Sequence, residues 1–348
     1  MPTHHRRHRT GTIATALAAL AALTLAACSS DAGAATPNTS GAADASDTGT
    51  GVTLRFGELG SALTQQALLE AAGEFDDLPY EVEYSLFPAG PAFMEAVPSG
   101  AVDLSIQADT PSIFAQVGGI PIKVVGVQAS VKTGESFVEI VANPDSGITS
   151  VADLKGKKVA VLPATILQYT VVRALEEAGL SYDDITPVEL PLTDAPAALA
   201  KGDVDAVASL DPTLAQLKAS GAVVVGTGLG ITSGYSYVVA TDAALADAAK
   251  SEAIADYLGR LGRAEEWAVA HGDEWAAISS ELTGLPVELA QAAQERSAAG
   301  WVAIDDQVIA LQQEQADAYT ALGLIQTPLD VSAYYDDRFN DVLTGGTK

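Results

Sequence analysis

The segment GAVDLSIQADTP, Gly100 to Pro111, returns as KGDVDAVASLDP, Lys201 to Pro212, and this duplication constrains the fold more than any other feature of the chain. Each copy reads Gly-x-Val-Asp, then a short apolar run, then an Asp nine positions after the Gly with a Pro close behind. An apolar run of that length, bounded by Gly and Asp, is a buried strand that hands over to a helix. Strands and helical stretches alternate around both copies. VTLRFG, YEVEYSLF, VDLSIQ and IKVVGVQ are separated by TQQALLEAAGEF, PAFMEAVPSG and SIFAQVGG. From Val151 the cycle restarts, with VAVLP, TPVEL, VDAVASL and VVVG separated by YTVVRALEEAGL, DAPAALAKG and TLAQLKASG. This order predicts an α/β fold of two similar lobes, each a mostly parallel sheet with helices on its faces. The strand YVVAT then leads into a helical C-terminal portion, where Trp267, Trp275 and Trp301 are expected on the core side of amphipathic helices.

The N-terminus addresses the chain to a compartment. Basic MPTHHRRHR precedes an apolar run from Thr12 to Ala27, too short to span a bilayer, and LAACS follows. That pattern is a signal peptide, residues 1–27, ending in a lipobox, with Cys28 the lipidated residue; an ordinary signal peptide is the alternative. Cys28 is the one cysteine of 348 residues, so the folded part has no thiol for a disulfide, a zinc site or a nucleophile. Residues 28–51 have nothing to bury and read as a disordered tether. Loss of residues 1–27 removes Arg6, Arg7 and Arg9 and no acid, leaving 15 Lys and Arg against 45 Asp and Glu, a net charge of −30. No basic surface for nucleic acid follows from such a balance, and the membrane contact is the lipid.

Ligands of open α/β sheets bind beyond the carboxyl ends of the strands, so the ends of the two copies, facing one another, predict a cleft. Asp103 and Asp205 read as strand-entry residues. Asp109 or Thr110, ahead of Pro111, and Asp211, ahead of Pro212, read as helix N-caps, whose free N–H groups also suit an anion.

VDLSIQADTPSIFAQVGGIPIKVVG, GITSVADLKGKKVAVLPATILQYTVVRALEEAGLSYDDITPVEL, GDVDAVASLDP and ALQQEQADAYTALGLI resemble the substrate-binding proteins of ABC importers, nearest to the aliphatic sulfonate, taurine and nitrate binders. The resemblance implies a periplasmic-binding-protein type II fold that closes like a flytrap, with residues 52–138 plus 240–348 as one lobe and 139–239 as the other. Crossings at Phe137–Val141 and Tyr237–Ala240 would form the hinge. It also implies a cleft lined by Glu58, Leu59, Gly60 and Ser61; by Gln107, Ala108, Asp109, Thr110 and Pro111; by Pro163, Ala164, Thr165, Ile166, Leu167 and Gln168; and by Ser209, Leu210 and Asp211. Ser233, Gly234 and Tyr235 would close its rim, and Arg296 falls in a segment that lies near the cleft in relatives. The implied partners are a small-molecule ligand and separate permease and ATPase chains, with the protein monomeric and without cofactor or metal; the richness in Ala, Gly, Thr and Asp hints at a high-GC bacterium, in which the lipid on Cys28 would anchor the protein to the outer face of the cytoplasmic membrane.

PATILQY departs from the Gly-Ser-rich loop of the sulfonate binders, because Pro163 lacks an N–H and Ile166 and Leu167 bring apolar bulk. The expected ligand is a sulfonate or carboxylate with an apolar tail, its head on Ser61, Thr110 and Thr165 and its tail on Leu59, Ile166 and Leu167. Core packing of Ile166 and Leu167 is the alternative, as is a salt bridge for Arg296 with Glu295 or another helix-surface acid. A heteroaromatic vitamin precursor would instead suit Gln168 and Tyr169. The chain's negative charge does not exclude an anion, since screening beyond about 8 Å leaves local amides in control.

Catalysis finds little support in the sequence. His271 is the one histidine left after residue 27, so the remaining option is an acid pair of Asp109 and Asp211. GKK at Gly156–Lys158 is a turn and not a phosphate loop, so the ATPase is another chain. A sensor or adhesin that kept the fold would need an exposed apolar patch, and none is evident.

Overall fold

The computed structural model describes residues 51–130 and 136–345; the expected signal peptide, Cys28 and the tether as far as residue 50 lie outside them. The first half of the chain forms β1 (Thr53–Leu59), α1 (Thr64–Ala71), β2 (Glu81–Phe87), α2 (Gly90–Ala96), β3 (Leu104–Ala108), α3 (Asp109–Val117) and β4 (Ile122–Ser130). There follow β5 (Val138–Ala142), β6 (Lys158–Ala160), α4 (Ile166–Glu177), β7 (Thr186–Val188), α5 (Ala195–Lys201), β8 (Ala206–Leu210), α6 (Thr213–Ala219) and β9 (Val223–Thr227). The remainder is β10 (Tyr235–Thr241), α7 (Asp242–Ala246), α8 (Ala248–Ala270), α9 (Gly272–Thr283), α10 (Val287–Ser297), β11 (Ala299–Val302), α11 (Asp306–Ala321) and α12 (Asn340–Leu343).

Two sheets result, ordered β11-β4-β10-β3-β1-β2 and β7-β6-β8-β5-β9. β1, β2 and β3 pair in parallel, whereas β10 runs antiparallel to both β3 and β4. In the second sheet β6, β7 and β8 are parallel and β5 is antiparallel to β8 and β9. The expected mostly parallel sheets are therefore mixed. The reason is topological: the strand that enters each sheet from the other, β5 or β10, arrives from the opposite direction.

The duplicated segment does the same job in both sheets. Gly100 and Gly202 take positive φ, 71° and 76°, and turn the chain out of the preceding helical segment. Three residues on, Asp103 donates its N–H to Arg55 O and accepts from Arg55 N–H on Oδ2 at 3.0 Å. Asp205 repeats this against Lys158, whose N–H reaches its Oδ2 at 2.8 Å. Each Asp thus fixes the register of two parallel strands, Phe56 beside Leu104 and Val159 beside Ala206, as the strand-entry expectation holds.

The inner strands of both sheets are covered on both faces, which is why they are nearly continuous apolar runs. In the first, Leu54, Phe56, Leu104 and Val238 pack against Tyr257, Leu258 and Leu261 of α8, while Tyr237 and Val239 face Phe93 and Val97. In the second, Ile140 and Val159 meet Val171 and Leu175 of α4, and Val141 and Val207 meet Leu199, Leu214 and Leu217. One residue departs from the sequence expectation: Trp301, expected in a helix, lies in edge strand β11. The indole fits because Gly126 and Gly262 carry no Cβ: one added at Gly262 would stand 2.6 Å from Nε1.

Candidate functional site

The carboxyl ends of strands from the two sheets meet. At the end of β3, Asp109 is fully buried, its Oδ1 accepting from Thr110 N–H at 2.7 Å and its Oδ2 from Ser233 Oγ at 3.2 Å. Burial pushes its carboxyl up, against hydrogen bonds from Gln315, Thr110 and Ser233 that pull it down. Asp109 is itself the first residue of α3 and Ala108 occupies the cap position, so neither Asp109 nor Thr110 is an N-cap. Thr110 Oγ1 is engaged by Tyr319 Oη at 2.8 Å and Gln315 Nε2 at 3.1 Å. Pro111 is buried.

At the end of β8, Asp211 does not cap α6 either, whose N-terminal flank is Pro212. Its carboxylate instead takes a bidentate pair from Arg296 of α10, Nε–Oδ2 2.7 Å and Nη2–Oδ1 2.8 Å. Arg296 is thus ion-paired with a buried acid at the end of the other sheet. Ser209 is fully buried and Leu210 packs into the second sheet's core.

The PATILQ loop turns inward. Thr165 caps α4, accepting from Leu167 N–H at 3.2 Å and donating to Leu162 O at 2.6 Å. Ala164 holds a positive φ of 54°, unusual for a residue with Cβ, and its N–H donates to Gln168 Oε1 at 2.9 Å. Ile166 and Leu167, each 1% exposed, lie in the second core, so they take the core-packing alternative and offer a ligand no apolar wall. Pro163 is exposed.

On the first sheet, Glu58 is buried and closes the start of α1, its Oε1 accepting from Thr64 Oγ1 and Gln65 N–H, both at 2.7 Å. Desolvation raises its carboxyl. Gly60, at φ 124°, and Ser61 are exposed, and Leu59 is half-buried. Gln107, 2% exposed, has neither amide atom hydrogen-bonded. A Cβ at Gly90 would stand 2.9 Å from Gln107 Oε1 and 2.5 Å from Pro111, so this turn needs glycine to approach β3. Tyr235 begins β10, its N–H donating to Ser233 Oγ, and Gly234 takes positive φ.

Beside these ends lies a cavity of about 330 Å³, within the size range of small-molecule sites. It runs from Leu59 and Asp211 past α1 to α8, α9 and α10, where Glu265, Trp275 and Gln294 line it. Sequence reasoning missed these three. A signal existed for Glu265, which sits four residues after Leu261 and three before Ala268, on the apolar stripe of α8. Leu59 and Asp211 are the only expected site residues in its lining. Among the described residues no cluster of three metal-ligating side chains occurs, and no helix is long and apolar enough to cross a membrane.

Similarity to known proteins accords with this geometry. The family model described as NMT1/THI5 like matches residues 81–275, more than half of the chain. A protein of Escherichia coli (strain K12), named for aliphatic sulfonate binding, is 33% identical over 255 residues, 72% of this chain and 78% of that one. Among solved structures, the alkanesulfonate-binding protein of Xanthomonas axonopodis pv. citri bound to MOPS superposes with a TM-score of 0.74 at 28% identity, covering 82% of this chain and 98% of that one. A desulfurization enzyme shares the fold alone, at 17% identity and a TM-score of 0.58, over 85% and 99% of the two chains. The two-lobe architecture is thus that of the binding proteins, and by family match and identity together the chain belongs to the NMT1/THI5-like family.

Proposed function

We propose that this protein is the extracytoplasmic solute-binding component of an ABC importer, capturing a small organic anion of the sulfonate class between its lobes and delivering it to separate permease and ATPase chains. Residues 52–138 plus 240–348 and residues 139–239 are the lobes, and closure on ligand is a shift between open and closed populations. Acylation of Cys28 tethers the mature protein to the membrane. The observation that carries the solute site is Gln107: a buried amide with both hydrogen-bonding atoms unfilled, at the carboxyl end of β3, where such sheets bind ligands. Its Nε2 is a donor for a sulfonate oxygen, with Gly60 and Ser61 at the neighbouring exposed turn; Thr110 and Thr165 serve the scaffold, their hydroxyls being engaged by protein atoms.

Binding without catalysis is supported by the state of the groups that could react. Asp211 is held by Arg296, Asp109 by Thr110 and Ser233, and His271 stacks on Trp267 with its Nδ1 3.0 Å from the Trp267 carbonyl.

Thermal unfolding of the purified protein against alkanesulfonates, nitrate, carboxylates and pyrimidines tests the proposal. A ligand at a hundred times its Kd adds about 2.7 kcal/mol, a shift of a few degrees. Alkanesulfonates are expected to give that shift, and Gln107→Ala to abolish it while leaving the unliganded Tm unchanged or higher, since the variant removes an unsatisfied buried amide. A response to pyrimidines alone would overturn the anion assignment.

A further inference from the structure

The cavity between α1, α8, α9 and α10 has a lining whose charge does not suit a sulfonate. It contains two acids, Asp211 and Glu265, and no Lys, Arg or His. Arg296 neutralises Asp211. Glu265 has no cation: both its oxygens share the single amide nitrogen of Gln128, at 2.6 and 2.8 Å. Protein encloses the side chain, yet it keeps part of its surface, as a group lining a cavity does. A carboxylate so placed has accepting capacity that one neutral donor leaves unfilled. A second acceptor lines the same cavity: Gln294 donates through Nε2 to Ala268 O at 2.9 Å, while its Oε1 is buried with no partner. Trp275 adds an aromatic wall, and Leu68, Leu285 and Ala290 an apolar one. Acceptor capacity left unfilled, an acid without a counter-ion and an aromatic surface together describe a pocket for an organic cation.

We propose that this cavity is a subsite for a cationic nitrogen of the solute, with Glu265 as its counter-ion and Gln294 Oε1 and Trp275 as further contacts. The inference rests on the solute-binding role proposed above and narrows its ligand to amine-bearing sulfonates. The cavity begins at Leu59, the last residue of β1, in the strand beside β3, which carries Gln107. Desolvation, eased only by Gln128, pushes the Glu265 carboxyl up to about 8; a cation in the cavity would bring it back down, so binding near neutral pH releases a proton.

Three probes of matched size separate the possibilities: 3-aminopropane-1-sulfonate, butane-1-sulfonate and butylammonium, titrated calorimetrically into the wild-type protein and Glu265→Gln. The first two differ by an ammonium in place of a methyl group. Wild-type protein is expected to bind the aminosulfonate at least tenfold more tightly than the alkanesulfonate, and E265Q to bring that ratio near one. Equal affinity for the two sulfonates in the wild-type protein, or a ratio unchanged in E265Q, overturns the subsite and leaves the sulfonate role intact. Butylammonium binding that E265Q removes, with neither sulfonate bound, upholds the subsite and refutes the sulfonate role; no binding by any of the three refutes both.

Discussion

At the residue scale, Glu265 couples the site to pH even without ligand. Its folded-state pKa of about 8 lies above the ordinary 4.5 of the side chain, raised by desolvation. Between those values the folded protein holds a proton that the unfolded chain has lost, so the residue's effect on stability is most favourable below about 4.5 and is lost as pH rises toward 8. The unscreened slope would be about 1.4 kcal/mol per pH unit, but water reaching the carboxyl through the cavity lowers it, and we expect a loss of about 2 kcal/mol across the window. Urea unfolding of wild-type protein and E265Q at pH 5 and pH 8 measures this. Glu58 and Asp109, which desolvation also raises, are common to both proteins and cancel in the difference. The variant should gain on wild type as pH rises; parallel behaviour would mean that the carboxyl titrates as an exposed one.

At the scale of elements, the duplicated segment makes one device twice with unequal support, and the inequality can be measured. Asp103, 5% exposed, holds Arg55 N–H and also Lys250 Nζ at 2.7 Å, whereas the Asp205 carboxylate holds the Lys158 N–H. Asp103→Ala strands a half-buried ammonium as well as a strand N–H and should cost about 3 kcal/mol in chemical denaturation, against about 1 for Asp205→Ala. Equal losses would assign the cost to the strand bond only. These two acids also mark what was legible: their spacing from Gly and the following apolar run is local, and so is the bond each makes at the strand entrance. The opposite holds for Asp211, whose partner Arg296 is set by the docking of α10, 85 residues away. Ile166 and Leu167 open an amphipathic helix, and a helix start does not reveal which side faces the core. β11 is four residues long and owes its extended state to pairing with β4 rather than to its own composition. Glu265 stood on an apolar stripe, but an acid there could equally have marked the edge of that stripe until the cavity showed what it faces.

For the whole molecule, the Arg296–Asp211 pair ties α10 to the end of the second sheet, and its side chains are 15% and 5% exposed. A buried pair of this kind contributes little net stability over apolar groups, yet removal of one member is costly, about 3–5 kcal/mol, because the other charge stays behind without compensation. Two sheets joined by two crossings have a cheaper response than unfolding: they can move apart and let water reach the carboxylate. Arg296→Ala is therefore expected to increase the radius of gyration in solution scattering and to lower stability by less than the full burial cost. Asp211→Ala with Arg296→Ala removes both charges, so the double variant should recover most of the stability lost by R296A, with a coupling energy of about 2 kcal/mol. Its radius of gyration then decides what the pair is for. If it stays expanded, the ion pair holds the lobes together; if it returns to the wild-type value, apolar packing across the boundary closes them, and R296A had opened the protein only to hydrate Asp211.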